Sequence, residues 1–209
     1  MWIAFYNDKG VGDVLMLTKG NVNENHLTHE SNNNVTIVRD TSQNNEIFSV
    51  NIFNISETFK PSSNGNVDLT QEEVSQVNTL IKNAGFDLEI TVDTEPKFIV
   101  GYVESCEKLE DSDHLSVTQT NVGKEVLQIV CGASNIAEGM KVLVARPGAV
   151  MPSGMIIWPG ELRGVESFGM ICSTRELGLS HIEDLPGIWE LSDSLEAGAS
   201  LDEVVASYQ

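Results

Sequence analysis

The sequence predicts two folded units: a small α+β domain over residues 1–92, then an all-β barrel over residues 97–209 that ends in a short helical extension. Three observations predict this. The 209-residue length exceeds the roughly 100–150 residues of a common single domain. One capped helical pattern stands among β-patterned segments in the first half. The second half is β-patterned throughout and punctuated by glycines. A hydrophobic content of 41% is enough to give both units packed cores rather than a solvated chain.

In the first unit, residues 3–6, 13–18, 35–39 and 47–52 read as strands separated by Gly- and Asn-rich turns. Residues 21–34 are polar and predict a mobile loop. At Thr70-Gln71-Glu72-Glu73 the pattern changes to a capping box, followed by Val74, Val77, Leu80, Ile81 and Ala84 at helical spacing, with Gly85 placed to end the helix. One amphipathic helix can bury its apolar stripe on the sheet, which gives a small α+β domain. Asp93-Thr94-Glu95-Pro96 is the expected linker.

The second half contains β-patterned segments at 97–106, 115–122, 125–131, 141–146, 155–158 and 168–172. Many short strands with glycine corners predict a small closed barrel, and the length suits an OB-fold with additions. Residues 200–206 predict a short closing helix.

Several function classes are set aside at this level. The longest apolar runs, such as 142–145 and 155–158, are far too short to span a bilayer, which needs about 18–20 residues. The N-terminus lacks the basic lead-in of a secretory signal, so a cytoplasmic protein is expected. Cys106, Cys131 and Cys172 lack metal-ligand spacing and have apolar neighbours, so they read as reduced, mostly buried thiols. His26 and His29 form a spaced pair, but no third ligand accompanies them. No phosphate-cradling glycine loop and no nucleophile with a paired base is present, so no catalytic residue, metal or cofactor is expected. The net charge of −19 opposes long-range attraction to polyanions.

Three motifs in the second half carry a resemblance. They are Gln128-Ile129-Val130-Cys131-Gly132-Ala133-Ser134-Asn135-Ile136, then Val144-Ala145-Arg146-Pro147-Gly148-Ala149, then Leu162-Arg163-Gly164-Val165-Glu166-Ser167-Phe168-Gly169-Met170-Ile171-Cys172-Ser173. In this order they resemble the tRNA-binding domain of the phenylalanyl-tRNA synthetase β subunit, of many methionyl-tRNA synthetase C-termini and of free-standing tRNA-binding proteins. The resemblance covers residues 97–200, and the whole chain is similar to a free-standing bacterial type of the family. It implies an OB-fold that binds tRNA or another structured RNA in trans. Catalytic and editing domains do not follow the barrel, so binding without aminoacylation is implied. Related domains sometimes dimerise, which leaves a homodimer open, and neither a membrane nor sequence-specific DNA recognition is implied.

Asn135, Lys141, Arg146, Trp158, Arg163, Ser167 and Ser173 are the candidate RNA-binding residues. Arg163 offers a planar donor fork for phosphate, Ser167 and Ser173 offer hydroxyls, and Trp158 offers a stacking face. Residues 141–175 hold four basic residues, Lys141, Arg146, Arg163 and Arg175, against Glu161 and Glu166. Residues 176–203 hold eight acidic residues and no Lys or Arg, so a basic face opposite an acidic one is the expectation. The chain departs from the family at Leu109-Glu110, where a His-Pro pair is frequent, and at Ile156 to Glu161, where synthetase versions are often lysine-rich. A reading of a different class is an acidic adaptor that docks on a basic translation-associated partner.

Overall fold

The structure, a computed structural model, describes residues 1–20, 24–110 and 112–208. It divides into two compact units, Met1–Thr94 and Glu95–Gln209.

The first unit contains strands β1 (Ile3–Asn7), β2 (Gly12–Thr18), β3 (Leu27–Asn32), β4 (Val35–Asp40), β5 (Glu46–Phe53) and β6 (Gly65–Val67), followed by helix α1 (Gln71–Asn83). The strands form one antiparallel sheet in the order β3-β4-β5-β2-β1-β6. Period-2 alternation sends Leu15, Leu17, Val35, Ile37, Val50 and Ile52 to one face, where they meet Val74, Val77 and Ile81 of α1 in a single core. The helix begins where the sequence places it. The Thr70 side chain accepts from the Glu73 N–H, and the Glu73 carboxylate accepts from the Thr70 N–H at 2.7 Å. Gly85, at φ +82°, follows the last turn.

The expected loop over residues 21–34 is corrected in part. Residues 21–23 lie outside the described residues, but β3 pairs with β4 in unbroken register from Leu27↔Asp40 to Asn32↔Val35. Every β3 side chain except Leu27 is exposed, so this edge strand has no buried face and leaves no alternation in the sequence. His29 sits on it opposite Val38. Among the described residues no group of three or more potential metal ligands occurs.

The second unit contains β7 (Phe98–Lys108), β8 (Ser116–Asn121), β9 (Val126–Cys131), β10 (Lys141–Ala145), β11 (Gly160–Leu162), β12 (Val165–Ser167), β13 (Met170–Ile171), β14 (Glu190–Leu191) and α2 (Leu201–Ala206). The order β13-β10-β7-β8-β9 forms a nearly closed five-stranded barrel of the OB type. The open seam is bridged by residues 166–168. The Phe168 N–H donates to the Gln128 carbonyl at 2.8 Å, and the Gln128 carboxamide donates to the Glu166 carbonyl at 2.8 Å. Strand β7 bends at a bulge, where the register passes from Val103↔Thr120 to Ser105↔Gln119.

Two cores share β7 and β10. Ile99, Val103, Val142 and Val144 point into the barrel with Ile129 and Leu127. Val100, Leu143 and Ala145 point outward, where Met151, Ile157, Leu177, Trp189 and Val204 cover them. Burial on both faces explains why 142–145 is a continuous apolar run rather than an alternating one. Inside the barrel Gly101 leaves no room for a side chain: a Cβ there would lie 2.6 Å from Thr120 Cγ2 and 2.7 Å from Val144 Cγ2.

The expected strand at 155–158 is also corrected. This segment forms one bridge, Val150↔Ile156, while Ile157 exchanges backbone bonds with Gly148 and Ala149. Its apolar character comes from Ile157 packing into the outer core, and Pro159 cannot donate to a ladder. The C-terminal helix starts at a second capping box, between Ser200 and Glu203. Among the described residues no helix is long and apolar enough to cross a membrane.

Candidate nucleic-acid interface

The Leu162-Arg163-Gly164-Val165 motif forms the tip of the β11–β12 hairpin. Leu162 pairs with Val165, so the turn has two residues, and both have positive φ: +49° at Arg163 and +80° at Gly164. This is the type I′ pattern, whose twist matches the flanking strands. Gly164 meets the demand at no steric cost, whereas Arg163 bears the strain that a Cβ brings to the left-handed region. The guanidinium is thus presented on an exposed turn beside exposed Leu162, where Asn or Gly would be the relaxed choice. Half-buried Trp158 lies two residues before β11.

Five candidate side chains make the following contacts within the fold. Asn135 bonds the backbone of Ile188 through both ends of its carboxamide, donating at 3.1 Å and accepting at 3.0 Å. The Lys141 ammonium donates to the carbonyls of Asp193 and Leu195. Ser167 is buried, and its hydroxyl accepts the Val130 N–H at 3.1 Å, which helps to close the barrel seam. Ser173 is buried and exchanges hydrogen bonds with Glu176, capping the turn that follows. Arg146 donates to Glu125 at 2.9 Å, with Glu95 at 3.9 Å, and only 20% of its side chain is exposed.

These pairings change the electrostatic expectation. Lys141 reaches into the acidic C-terminal segment, and Arg175 pairs with Asp184 there at 3.0 Å. The basic stretch and the acidic tail therefore interlock at these points instead of lying on opposite faces. The three cysteines are free thiols. Burial pushes Cys131 up and Cys172 up to about 12, which keeps the latter protonated and a poor nucleophile or metal ligand at neutral pH.

One further feature escapes sequence reading. A cleft of about 430 Å³ is lined by His181, Ile182, Glu183, Leu185, Glu190 and Tyr208, together with Asn135 and Trp189. Its only local signals are the Pro186-Gly187 corner and the isolated aromatics Trp189 and Tyr208.

Comparison with known proteins follows the same division. A family profile described as "Putative tRNA binding domain" matches residues 98–200, and one described as "Domain of unknown function (DUF4479)" matches residues 22–93. The Bacillus subtilis protein named "Putative tRNA-binding protein YtpR" is 46% identical over 195 residues, covering 93% of this chain and 96% of that protein. The phenylalanine–tRNA ligase β subunit of Oceanobacillus iheyensis is 49% identical over 122 residues, covering 56% of this chain but 15% of the subunit. Among solved structures, a MetRS-related protein from Pyrococcus horikoshii is 24% identical with a TM-score of 0.37, covering 49% of this chain and 85% of that one. With near end-to-end similarity at 46% identity, the chain belongs to the family of tRNA-binding-domain proteins that includes the B. subtilis protein.

Proposed function

We propose that this chain is a free-standing tRNA-binding protein that acts in trans in the cytoplasm and catalyses no reaction of its own. The observation that carries this reading is the full-length similarity to the B. subtilis protein, with the matched tRNA-binding region coinciding with the barrel. The barrel and its protruding hairpin supply a surface for RNA shape and backbone, with the Arg163 fork directed at phosphate and Trp158 available for stacking. Asn135, Lys141, Arg146, Ser167 and Ser173 serve that surface by fixing the loops and the seam behind it. With a net charge of −19, binding relies on a few short-range contacts rather than a broad positive field, so few counterions are released.

The test is a gel shift with unfractionated tRNA at low and physiological salt, paired with sequencing of RNA that copurifies from cells. Enrichment of tRNA over ribosomal fragments is expected. Absence of any RNA complex at low salt overturns the reading, and capture of a basic translation protein instead would favour an adaptor.

A further inference from the structure

The cleft beside Tyr208 is a built feature. One wall is aromatic: Tyr208, 44% exposed, leans on buried Trp189 with ring centroids 5.3 Å apart at 53°. Apolar surface continues over Ile182, Ile188 and exposed Leu185. The rim carries His181 and the carboxylates of Glu183 and Glu190, both exposed and without an ion-pair partner among the described residues.

The loop that forms the rim is tied at its middle and at its C-terminal end. Asp184 accepts from the Thr174 hydroxyl at 3.2 Å and from Arg175 at 3.0 Å. Asn135 holds Ile188, and the Trp189 N–H donates to the Cys172 carbonyl at 2.9 Å. A cleft fixed in this way loses little entropy on binding a ligand.

Its chemistry selects a flat, apolar-faced ligand whose edge carries donors, because ionised carboxylates only accept. A nucleobase has such faces. Guanine presents N1–H and the N2 amino group side by side, matching the two oxygens of one carboxylate. Cytosine and adenine offer one amino group, and the carbonyls of uracil face carboxylates unfavourably. A lysine or arginine side chain would use the carboxylates but leave much of the flat apolar wall unmatched. Phosphates stay outside the acidic rim.

We propose that this cleft binds an unpaired nucleobase with donors on its Watson–Crick edge, guanine above all, with Tyr208 as the stacking surface and Glu183 or Glu190 as acceptor. The proposal rests on the tRNA-binding reading for the source of the base, not for the chemistry of the site.

The experiment measures saturation-transfer NMR and indole chemical shifts of the full chain with free guanosine, cytidine and uridine, which carry no phosphate. Guanosine should saturate the site and shift the Trp189 indole, while uridine should do neither. Tyr208→Phe should retain binding and Tyr208→Ala lose it. Glu183→Gln with Glu190→Gln should weaken guanosine at least 5-fold and flatten its preference over uridine. In a parallel gel shift, Tyr208→Ala should weaken tRNA binding by about 5- to 150-fold, the range set by losing one base stack. Guanosine binding with tRNA affinity unchanged in Tyr208→Ala supports the site but assigns it to a free nucleoside or nucleotide. Guanosine binding by a protein that binds no tRNA leaves this site standing and overturns only the proposed function. Silence with all nucleosides, equal binding of uridine, or occupancy of the cleft by an arginine-rich peptide alone overturns the proposal.

Discussion

Asn135 holds Ile188 by both ends of its carboxamide, with Oδ1 accepting the Ile188 N–H at 3.0 Å and Nδ2 donating to the Ile188 carbonyl at 3.1 Å. The two residues are 53 apart in sequence, and the bond ties the barrel's Ala133-Ser134-Asn135 turn to the segment entering β14. Gly187 fits this arrangement because a Cβ there would lie 2.0 Å from Asn135 Oδ1. Replacing Asn135 with Ala leaves a partly buried N–H and carbonyl unpaired and should cost about 1–3 kcal/mol. Thermal unfolding checks the cost, and the Trp189 indole resonance should broaden or move. An unchanged melting temperature would show that water replaces both bonds freely.

Arg163 separates stability from binding. Asn tolerates the left-handed conformation better than Arg, so Arg163→Asn should relieve backbone strain and stay folded while removing one phosphate contact. The slope of log affinity against log salt should fall by roughly 0.7–0.9. An arginine with only a structural role would leave the slope unchanged. Arg146→Ala serves as the contrast, since its guanidinium already faces Glu125 and Glu95 and should alter the slope less.

Gly101→Ala tests the tightness of the barrel. The added methyl meets Thr120 and Val144 inside van der Waals distance, so the second unit should lose about 1–3 kcal/mol through overpacking. Denaturant unfolding followed by Trp189 fluorescence, with the other tryptophans substituted, measures this. Wild-type stability would mean that β7 and β10 can part at little cost.

Acid sensitivity of the first unit should depend on Asp13. The Ser56 hydroxyl, 2.6 Å from Asp13 Oδ2, holds this carboxyl below its ordinary value against the opposing effect of burial, and the Ser56 N–H and Tyr6 hydroxyl add to it. A lowered folded pKa gives stability that is full above the unfolded value of about 3.9 and is lost as pH falls through the lower folded value. Ser56→Ala should therefore raise the Asp13 pKa by NMR. The variant should be less stable than wild type at neutral pH, with the gap closing in acid. A gap that stays constant with pH would assign the loss to packing.

Limited proteolysis should cut first between Ile90 and Lys97, leaving two protected fragments, because the capped helix ends before this stretch and Pro96 precedes the first barrel strand. Early cuts within 97–173 with the 90–97 stretch intact would show that the barrel is not an independent unit.

The sequence alone determined the features whose causes are local. The start of α1 follows from Thr70 and Glu73 three residues apart, its end from Gly85, and the β7–β10 strands from β-patterned segments, several of them bounded by glycine corners. The ordered motifs around Asn135, Arg146 and Arg163 were also legible, and with them the family. Only the tertiary structure decided which partners those side chains find within the fold. Arg146 finds Glu125, Lys141 finds the carbonyls of Asp193 and Leu195, and Ser167 finds the Val130 N–H, each across 21 or more residues of chain. Strand β3 likewise exists through pairing with β4, since its polar side chains bury nothing. Capping and periodicity are written within a few residues, whereas an ion pair or an edge-strand ladder depends on what folding brings alongside, and no local pattern records that.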